Sequence, residues 1–334
     1  MKRKAEETHD EPSQIFAETV AAMSMDASLT LPTDDSLKRT LRNHKAKSIP
    51  KEPLDLKDLK LEGEWKENLL FDNGSLQDRI LLFGTSDTLY LLKETSKWFL
   101  DGNFGHAPRH FTQLYVVRVE VEDAYITAIY ALLQSKKKST YEELFRTLIE
   151  VSAVEKLNLD PEFIHMDFES AAIEAVRLVF GYRVTIRGCF YHLRQSTYRH
   201  VQSLGYASKY RDDPFFQKFC GMIDALAFLP VNLVQEGVTY LHTLAPTDSE
   251  ALDMLEYFDS VYCSGRYRGR NTGLPLVLSL ARLEPLFPPE MWNTHNATLS
   301  DGERTNNKTE WWNNRFKVLV GQDHPSIYLL LQKR

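Results

Sequence analysis

Residues 98–103, Trp98-Phe-Leu-Asp-Gly-Asn103, and residues 163–167, Phe163-Ile-His-Met-Asp167, share one pattern: a short apolar run closed by an aspartate. Their surroundings decide the fold. Gln113 to Glu122 alternates around Leu114, Val116 and Val119, and Ala124 to Leu133 is another strand-like run. Short connections join these three runs, which predicts an antiparallel meander. Ser139-Thr140 ahead of Glu142-Glu143 reads as a capping box, and Tyr141, Leu144, Phe145, Leu148 and Ile149 follow at helical spacing. Phe163 to Met166 is a fourth strand. Ala172, Ile173, Val176, Val179 and Phe180 mark a helix that Gly181 can end. Val184 to Cys189 is a fifth strand, leading into a helix from His192.

The order is three strands, helix, strand, helix, strand, helix. It predicts an α/β fold with a mixed sheet, three antiparallel strands and then βα units, which is the order of the ribonuclease H-like fold. In that order the first and fourth strands are central neighbours. Asp101 and Asp167, 66 residues apart, then face one point. Two carboxylates so close repel, and one keeps its proton unless a cation sits between them. Hard oxygen ligands suit Mg²⁺ or Mn²⁺, and two such ions about 4 Å apart can activate an attacking oxygen and stabilise the leaving oxygen of a phosphodiester. A third acid, Glu310, can arrive on a last predicted helix from about Asn307 to Val320. Taken singly, each aspartate is better read as a turn or capping residue, because Asp-Gly is a common turn pair and Asp167 precedes a helix. The shared strand order favours the metal site.

Outward from this core, residues 1–60 read as a partly helical region, with a helix over Phe16 to Met25 and a basic stretch at 36–51. That stretch carries Lys38, Arg39, Arg42, Lys45, Lys47 and Lys51 with no acid, the pattern of a solvated linker or of a phosphate-contacting arm. Residues 61–96 hold a hairpin signal at Asn73-Gly74 and a helix that Ser86 can cap, leading into a core at 97–212. Residues 213–304 read as an all-helical insertion beginning at Pro214, with Ser264 to Arg270 as a loop. Residues 305–334 hold the last core helix and a short C-terminal tail.

The 334 residues are 43% hydrophobic and 26% charged, the balance of a globular chain. A net charge of −6 excludes a protein that coats nucleic acid over its whole surface, but not a local basic groove. Tyr182 to Lys218 is such a candidate: seven basic residues against Asp212 and Asp213, with Tyr191 and Tyr198 interleaved. Arg187, Arg194, Arg199 and Lys209, and farther on Arg266, Arg268 and Arg270, are candidates to contact DNA phosphates, with solvated faces as the alternative. Phe215, Phe216 and Phe219 read as core. Three cysteines exclude a disulfide scaffold, and Cys189-x-x-His192 is half a zinc site with no matching second half. No apolar run approaches the ~20 residues of a membrane span, and the charged N-terminus lacks the apolar stretch of a secretory signal. The expectation is a reducing intracellular compartment with no membrane partner.

Five stretches in order carry a resemblance: Trp98-Phe-Leu-Asp-Gly-Asn-Phe104, Met166-Asp-Phe-Glu169, Gly188-Cys-Phe-Tyr-His192, Asp224-Ala-Leu-Ala-Phe-Leu-Pro230 and Asn306-Asn-Lys-Thr-Glu-Trp-Trp312. Together, over about residues 65–332, they resemble MULE transposase domains, those of Mutator-like elements. The resemblance implies a ribonuclease H-like nuclease with a helical insertion before the last acid. It implies a DDE triad at Asp101, Asp167 and Glu310 holding two Mg²⁺ or Mn²⁺ ions. The implied partners are the terminal repeats of an element and a target DNA, and the implied compartment is the nucleus. Pairing of two ends implies a homo-oligomer. Cys189 and His192 would be an accessory motif near the DNA. Trp311 and Asn313 depart from the family pattern beside Glu310. They leave open an alternative, a domesticated protein that keeps the fold for DNA or partner binding without cleavage.

Overall fold

The apolar runs assemble into one seven-stranded sheet. The computed structural model describes residues 3–4, 12–23, 31–122, 124–247, 249–271, 278–300, 315–316 and 318–333. The strands are β1 (Leu69–Asp72), β2 (Ile80–Phe83), β3 (Lys97–Asn103), β4 (Gln113–Val121), β5 (Ala124–Leu133), β6 (Phe163–Met166) and β7 (Thr185–Gly188). Their spatial order is β1-β2-β5-β4-β3-β6-β7. The predicted meander is there: β3 pairs with β4 from Trp98↔Val119 to Asn103↔Leu114, and β4 with β5 from Gln113↔Leu133 to Val121↔Ala124. β6 joins β3 in parallel, and β7 joins β6 in parallel. The hairpin at Asn73-Gly74 does more than lead into this sheet. Its second strand pairs with β5 and extends the sheet by two strands. The turn is longer than an Asn-Gly pair, and the Asn73 side-chain amide spans it by donating to the Asp78 carbonyl at 3.0 Å.

Alternation along the strands sends side chains to two faces. On the first face, Trp98, Leu100, Val117, Ile164 and Met166 are buried with residues of α4 (Lys138–Val154), α5 (Ser170–Phe180) and α6 (Phe190–Ser203). Burial of each such side chain contributes about 1.5–3 kcal/mol. On the second face, Leu81, Phe83, Leu114, Val116 and Leu132 are buried with Leu56, Leu59, Phe316, Val320, Ile327 and Tyr328. The C-terminal end of the chain therefore returns to the sheet. Residues 315–316 and 318–320 are helical, as predicted for the last core helix. Its predicted start at Asn307 lies outside the described residues.

Several local expectations change. The basic stretch is not a linker: α1 (Pro12–Ala21) and α2 (Asp34–Ser48) form a pair in which Ile15 and Leu41 are buried together. Leu37 and Leu41, one turn apart, supply the apolar stripe. The helix after β2, α3 (Ser86–Glu94), is capped by Thr85 and not by Ser86; the Thr85 hydroxyl accepts from the Thr88 amide at 3.2 Å, and the Thr88 hydroxyl accepts from the Thr85 amide at 2.9 Å. α4 starts two residues too early for Ser139 to cap it, and its cap position, Lys137, makes no side-chain hydrogen bond to the helix.

After α6 come α7 (Ala207–Asp212), α8 (Pro214–Ala225), α9 (Val234–Leu244) and α10 (Glu250–Phe258). Pro214 is the first residue of α8, and Asp213 caps it. The segment 213–304 is not all-helical, and 264–270 is not wholly loop. β8 (Tyr267–Asn271) and β9 (Leu278–Arg282) form a separate antiparallel pair. Tyr-Arg-Gly-Arg-Asn lacks the apolar alternation that marks a strand; its partner, starting seven residues after Asn271, supplies the backbone hydrogen bonds. Two short helices follow, α11 (Pro289–Trp292) and α12 (His295–Leu299), and α13 (Ile327–Lys333) is the last described element. Among the described residues no helix is long and apolar enough to cross a membrane.

Candidate active site

Asp101 does not follow its strand; it lies inside β3, opposite Val116, and is 4% exposed. Gly102 is a strand residue too. A Cβ there would lie 2.7 Å from Gln113 Oε1, so glycine makes room for that side chain and is not a turn signal. In the β3–β6 ladder Phe99 stands opposite His165, with their rings stacked at 4.8 Å on the second face. Two positions farther on come Asp101 and Asp167. Asp101 is near the carboxyl end of β3 and Asp167 just past that of the parallel β6, close enough for their charges to interact, at the strand end where open α/β sheets commonly bind ligands.

The electrostatics agree with that convergence. Burial, then the charge of Asp101, then that of Glu169, pushes the Asp167 carboxyl up to about 7. Ionising it costs roughly 4 kcal/mol more than for a free aspartate. Asp167 Oδ1 is buried without a hydrogen-bond partner. Arg199, from α6, acts on it with positive charge. Arg118 on β4 is fully buried, its guanidinium pushed down to about 10 by burial while Asp101 acts the other way.

A buried polar network underlies the two aspartates on the first face. The Tyr141 hydroxyl donates to Glu169 Oε2 at 2.8 Å and accepts from the Gln113 side-chain amide. Burial raises the Glu169 carboxyl. The neighbouring Tyr115 hydroxyl is held far above the usual phenol range by burial and by the charges of Tyr141, Asp167, Glu169 and Asp101. Sequence reasoning missed this set. Tyr141 counted there as an apolar helix position, and the one signal was Gln113, a polar residue at the head of an apolar strand.

Cys189 is the cap residue of α6, which starts at Phe190, and it is buried. His192 sits in the first turn, half-buried. The neighbouring Gly188 has a clear packing reason: a Cβ there would lie 2.3 Å from the Phe168 ring. Phe168 also meets the rings of Tyr262 and Phe287 edge-on, at 5.7 and 5.2 Å. One contact thus locks the stretch Met166–Glu169 to the stretch Gly188–His192. All three cysteines are buried free thiols. Among the described residues no group of three or more His, Cys, Asp or Glu is arranged to hold a metal ion. Glu310 lies outside the described residues.

The basic candidates are less available than their local excess suggested. Arg183 pairs with Asp160 at 2.7 Å, Arg194 with Asp224 at 3.4 Å and Lys209 with Glu250 at 2.6 Å. Arg187 lies over the Phe163 ring, 4.9 Å from its centre. Arg266 is exposed at the root of the β8–β9 hairpin. Arg268 and Arg270 are on β8, with side chains outside the described set. Phe216 and Phe219 are core as predicted, whereas Phe215 is half exposed and stacks on Phe219.

Neither a curated protein nor a solved structure matches this chain. A family model does, over the segment from β3 to the middle of α6 that carries Asp101, Asp167, Cys189 and His192. That match stops short of the stretches at 224–230 and 306–312. It is to the MULE transposase domain, over residues 97–196 of this chain.

Proposed function

We propose that this chain is the catalytic part of a DNA transposase. It cleaves DNA strands at element ends and transfers the freed 3′-hydroxyl to target DNA, using Asp101, Asp167 and Glu310. The observation that carries the reading is Asp167: a buried carboxyl with an open oxygen, facing a second carboxylate at the carboxyl ends of neighbouring strands. A divalent cation relieves that repulsion, and the oxygen donors suit Mg²⁺ or Mn²⁺. Bound by these acids, two such ions would supply the activated attacking oxygen and a stabilised leaving oxygen. Two of the acids belong to strands whose order, a meander and then two parallel strands, supports a ribonuclease H-like core.

Glu310 is six residues before Phe316, a span of at most about 20 Å. Phe316 is buried on the second face, edge-on to His106 at 5.5 Å and near Tyr130. Asp101 is on that same face, opposite Val116 of the same cluster. Tyr141 and Gln113 hold the Glu169 carboxylate in a hydrogen-bonded network, and Arg199 offers positive charge to a phosphate beside Asp167. The substrate implies a nuclear protein, and joining two ends implies self-association.

The test is nicking of supercoiled plasmid bearing the element ends, with Mg²⁺ or Mn²⁺. Wild type should nick and Asp101→Ala should not; equal nicking by both overturns the proposal. Salt-sensitive DNA binding with no nicking by wild type would assign the chain to a non-catalytic, DNA-binding role.

A further inference from the structure

α6 has a second functional side. Arg199 acts on Asp167 from one flank of the helix. Arg194 is five residues earlier, about 140° round at 3.6 residues per turn, so it lies on the other flank, about one helix width away. There a cavity of about 240 Å³ opens among Arg194, Thr197, Tyr198, Tyr210, Cys220 and Asp224. It is smaller than the 300–1,000 Å³ of a drug-sized pocket and suits one planar heterocycle.

Its chemistry is specific. Asp224 is 9% exposed, and its Oδ1 has no hydrogen-bond partner. The other oxygen meets Arg194 Nε at 3.4 Å, and the Thr197 hydroxyl stands beside the carboxylate. The Cys220 thiol, pushed up to about 12 by burial and by Asp224, stays protonated and is a neutral wall. Tyr198, 41% exposed, meets Tyr210 edge-on at 5.2 Å and offers a ring at the rim. An occupant must bring a hydrogen-bond donor to Asp224 and a flat face to Tyr198. A protein guanidinium is disfavoured, because Arg194 already holds that charge.

We propose that this cavity receives one unstacked DNA base bearing an exocyclic amino group, with Asp224 accepting from the amino group and Tyr198 stacking on the ring. The identity of the donor as DNA rests on the transposase reading above. Flipped bases are commonly read in this way, by hydrogen bonds to one edge and by aromatic stacking. Cytosine and adenine offer an amino donor, whereas thymine turns a carbonyl oxygen to the carboxylate.

The test uses the full chain and three fluorescent single-stranded 12-mers: oligo-dC, oligo-dT and a backbone with abasic sites throughout. Oligo-dC should bind about tenfold more tightly than the abasic strand, and more tightly than oligo-dT. Asp224→Asn should shrink the dC–dT difference, because its amide can donate to thymine. Tyr198→Ala, a change at a half-exposed site that spares folding, should bring both base-bearing strands toward the abasic value. Equal binding of all three strands by wild type overturns the proposal and leaves the DNA reading standing. So does full dC–dT discrimination by Asp224→Asn. If no strand binds but free deoxycytidine still quenches tyrosine fluorescence in wild type and not in Asp224→Asn, the cavity stands and the DNA reading falls.

Discussion

Two aspartates in this chain, each with a buried oxygen, differ most in their neighbours. Burial pushes Asp167 up to about 7 and Asp224 up to about 6, and each leaves one oxygen without a hydrogen-bond partner. Asp167 faces Asp101 and Glu169, like charges that burial amplifies. Asp224 faces Arg194 and Thr197. At the first site the like charges outweigh the opposing charge of Arg199, and the Asp167 carboxyl is raised. The second already has its arginine and calls only for a neutral donor. Burial alone therefore does not distinguish the two carboxyls; the sign of the nearest charge does.

The largest effect should come from removing the like-charge pair. Asp101→Asn is expected to lose about 3 kcal/mol or more of transition-state stabilisation, at least a hundredfold in nicking rate. Mn²⁺ should raise the thermal midpoint of wild type, by about 2.7 kcal/mol of stability at a hundredfold excess over the dissociation constant, and should leave Asp101→Asn unmoved. Calorimetric scans with and without Mn²⁺ check this. A variant that gains as much from Mn²⁺ as wild type would erase the contrast between the two aspartates.

Asp224 comes next. Its folded-state pKa is raised above the ordinary aspartate value, so the protonated form contributes stability that is fully present below about 3.8 and is lost as pH rises through about 6. The neutral Asp224→Asn should therefore be more stable than wild type at pH 7 by up to about 3 kcal/mol, and the gap should close near pH 4. Urea melts across that range read it directly. A gap that does not change with pH would mean that Arg194 already neutralises the group.

Two glycines give the smaller effects and compare the same two regions. Gly188→Ala drives a methyl into the Phe168 ring beneath the acid pair and is expected to cost about 1–3 kcal/mol, measured as a lower urea midpoint. Gly221, inside α8, would have open space around an added Cβ. Gly221→Ala should stabilise by about 0.5–1 kcal/mol through reduced freedom of the unfolded chain. Equal effects at the two positions would mean that the acid-bearing end is no more tightly packed than the helical layer.

Much of the sheet was legible in the sequence because its signals are local. The alternation around Leu114, Val116 and Val119 marks a strand wherever it lies, and three such runs on short connections have one sensible pairing. Asp101 and Asp167 were legible as a pair because strand order implied the parallel contact of β3 with β6. The β8–β9 pair was not, since Tyr267 to Asn271 is polar and becomes a strand only by pairing with Leu278 to Arg282. The basic excess of 182–218 misled for the same reason: Asp160, Asp224 and Glu250, which offset it, lie outside that stretch. In the other direction, Glu169, Tyr141 and Gln113 form one network from three elements, and none of them signals its partners.

By itself the sequence determined the order of the five core strands, their apolar runs and the two aspartates carried by neighbouring strands, because periodicity and chain connectivity act within short reach. Only the tertiary structure decided the environments of those carboxyls: which oxygen is buried open, which charge stands beside it, and which cations are already paired. Those are set by distances of a few ångströms between segments far apart in the chain, where the interior weakens screening and each neighbouring charge counts fully.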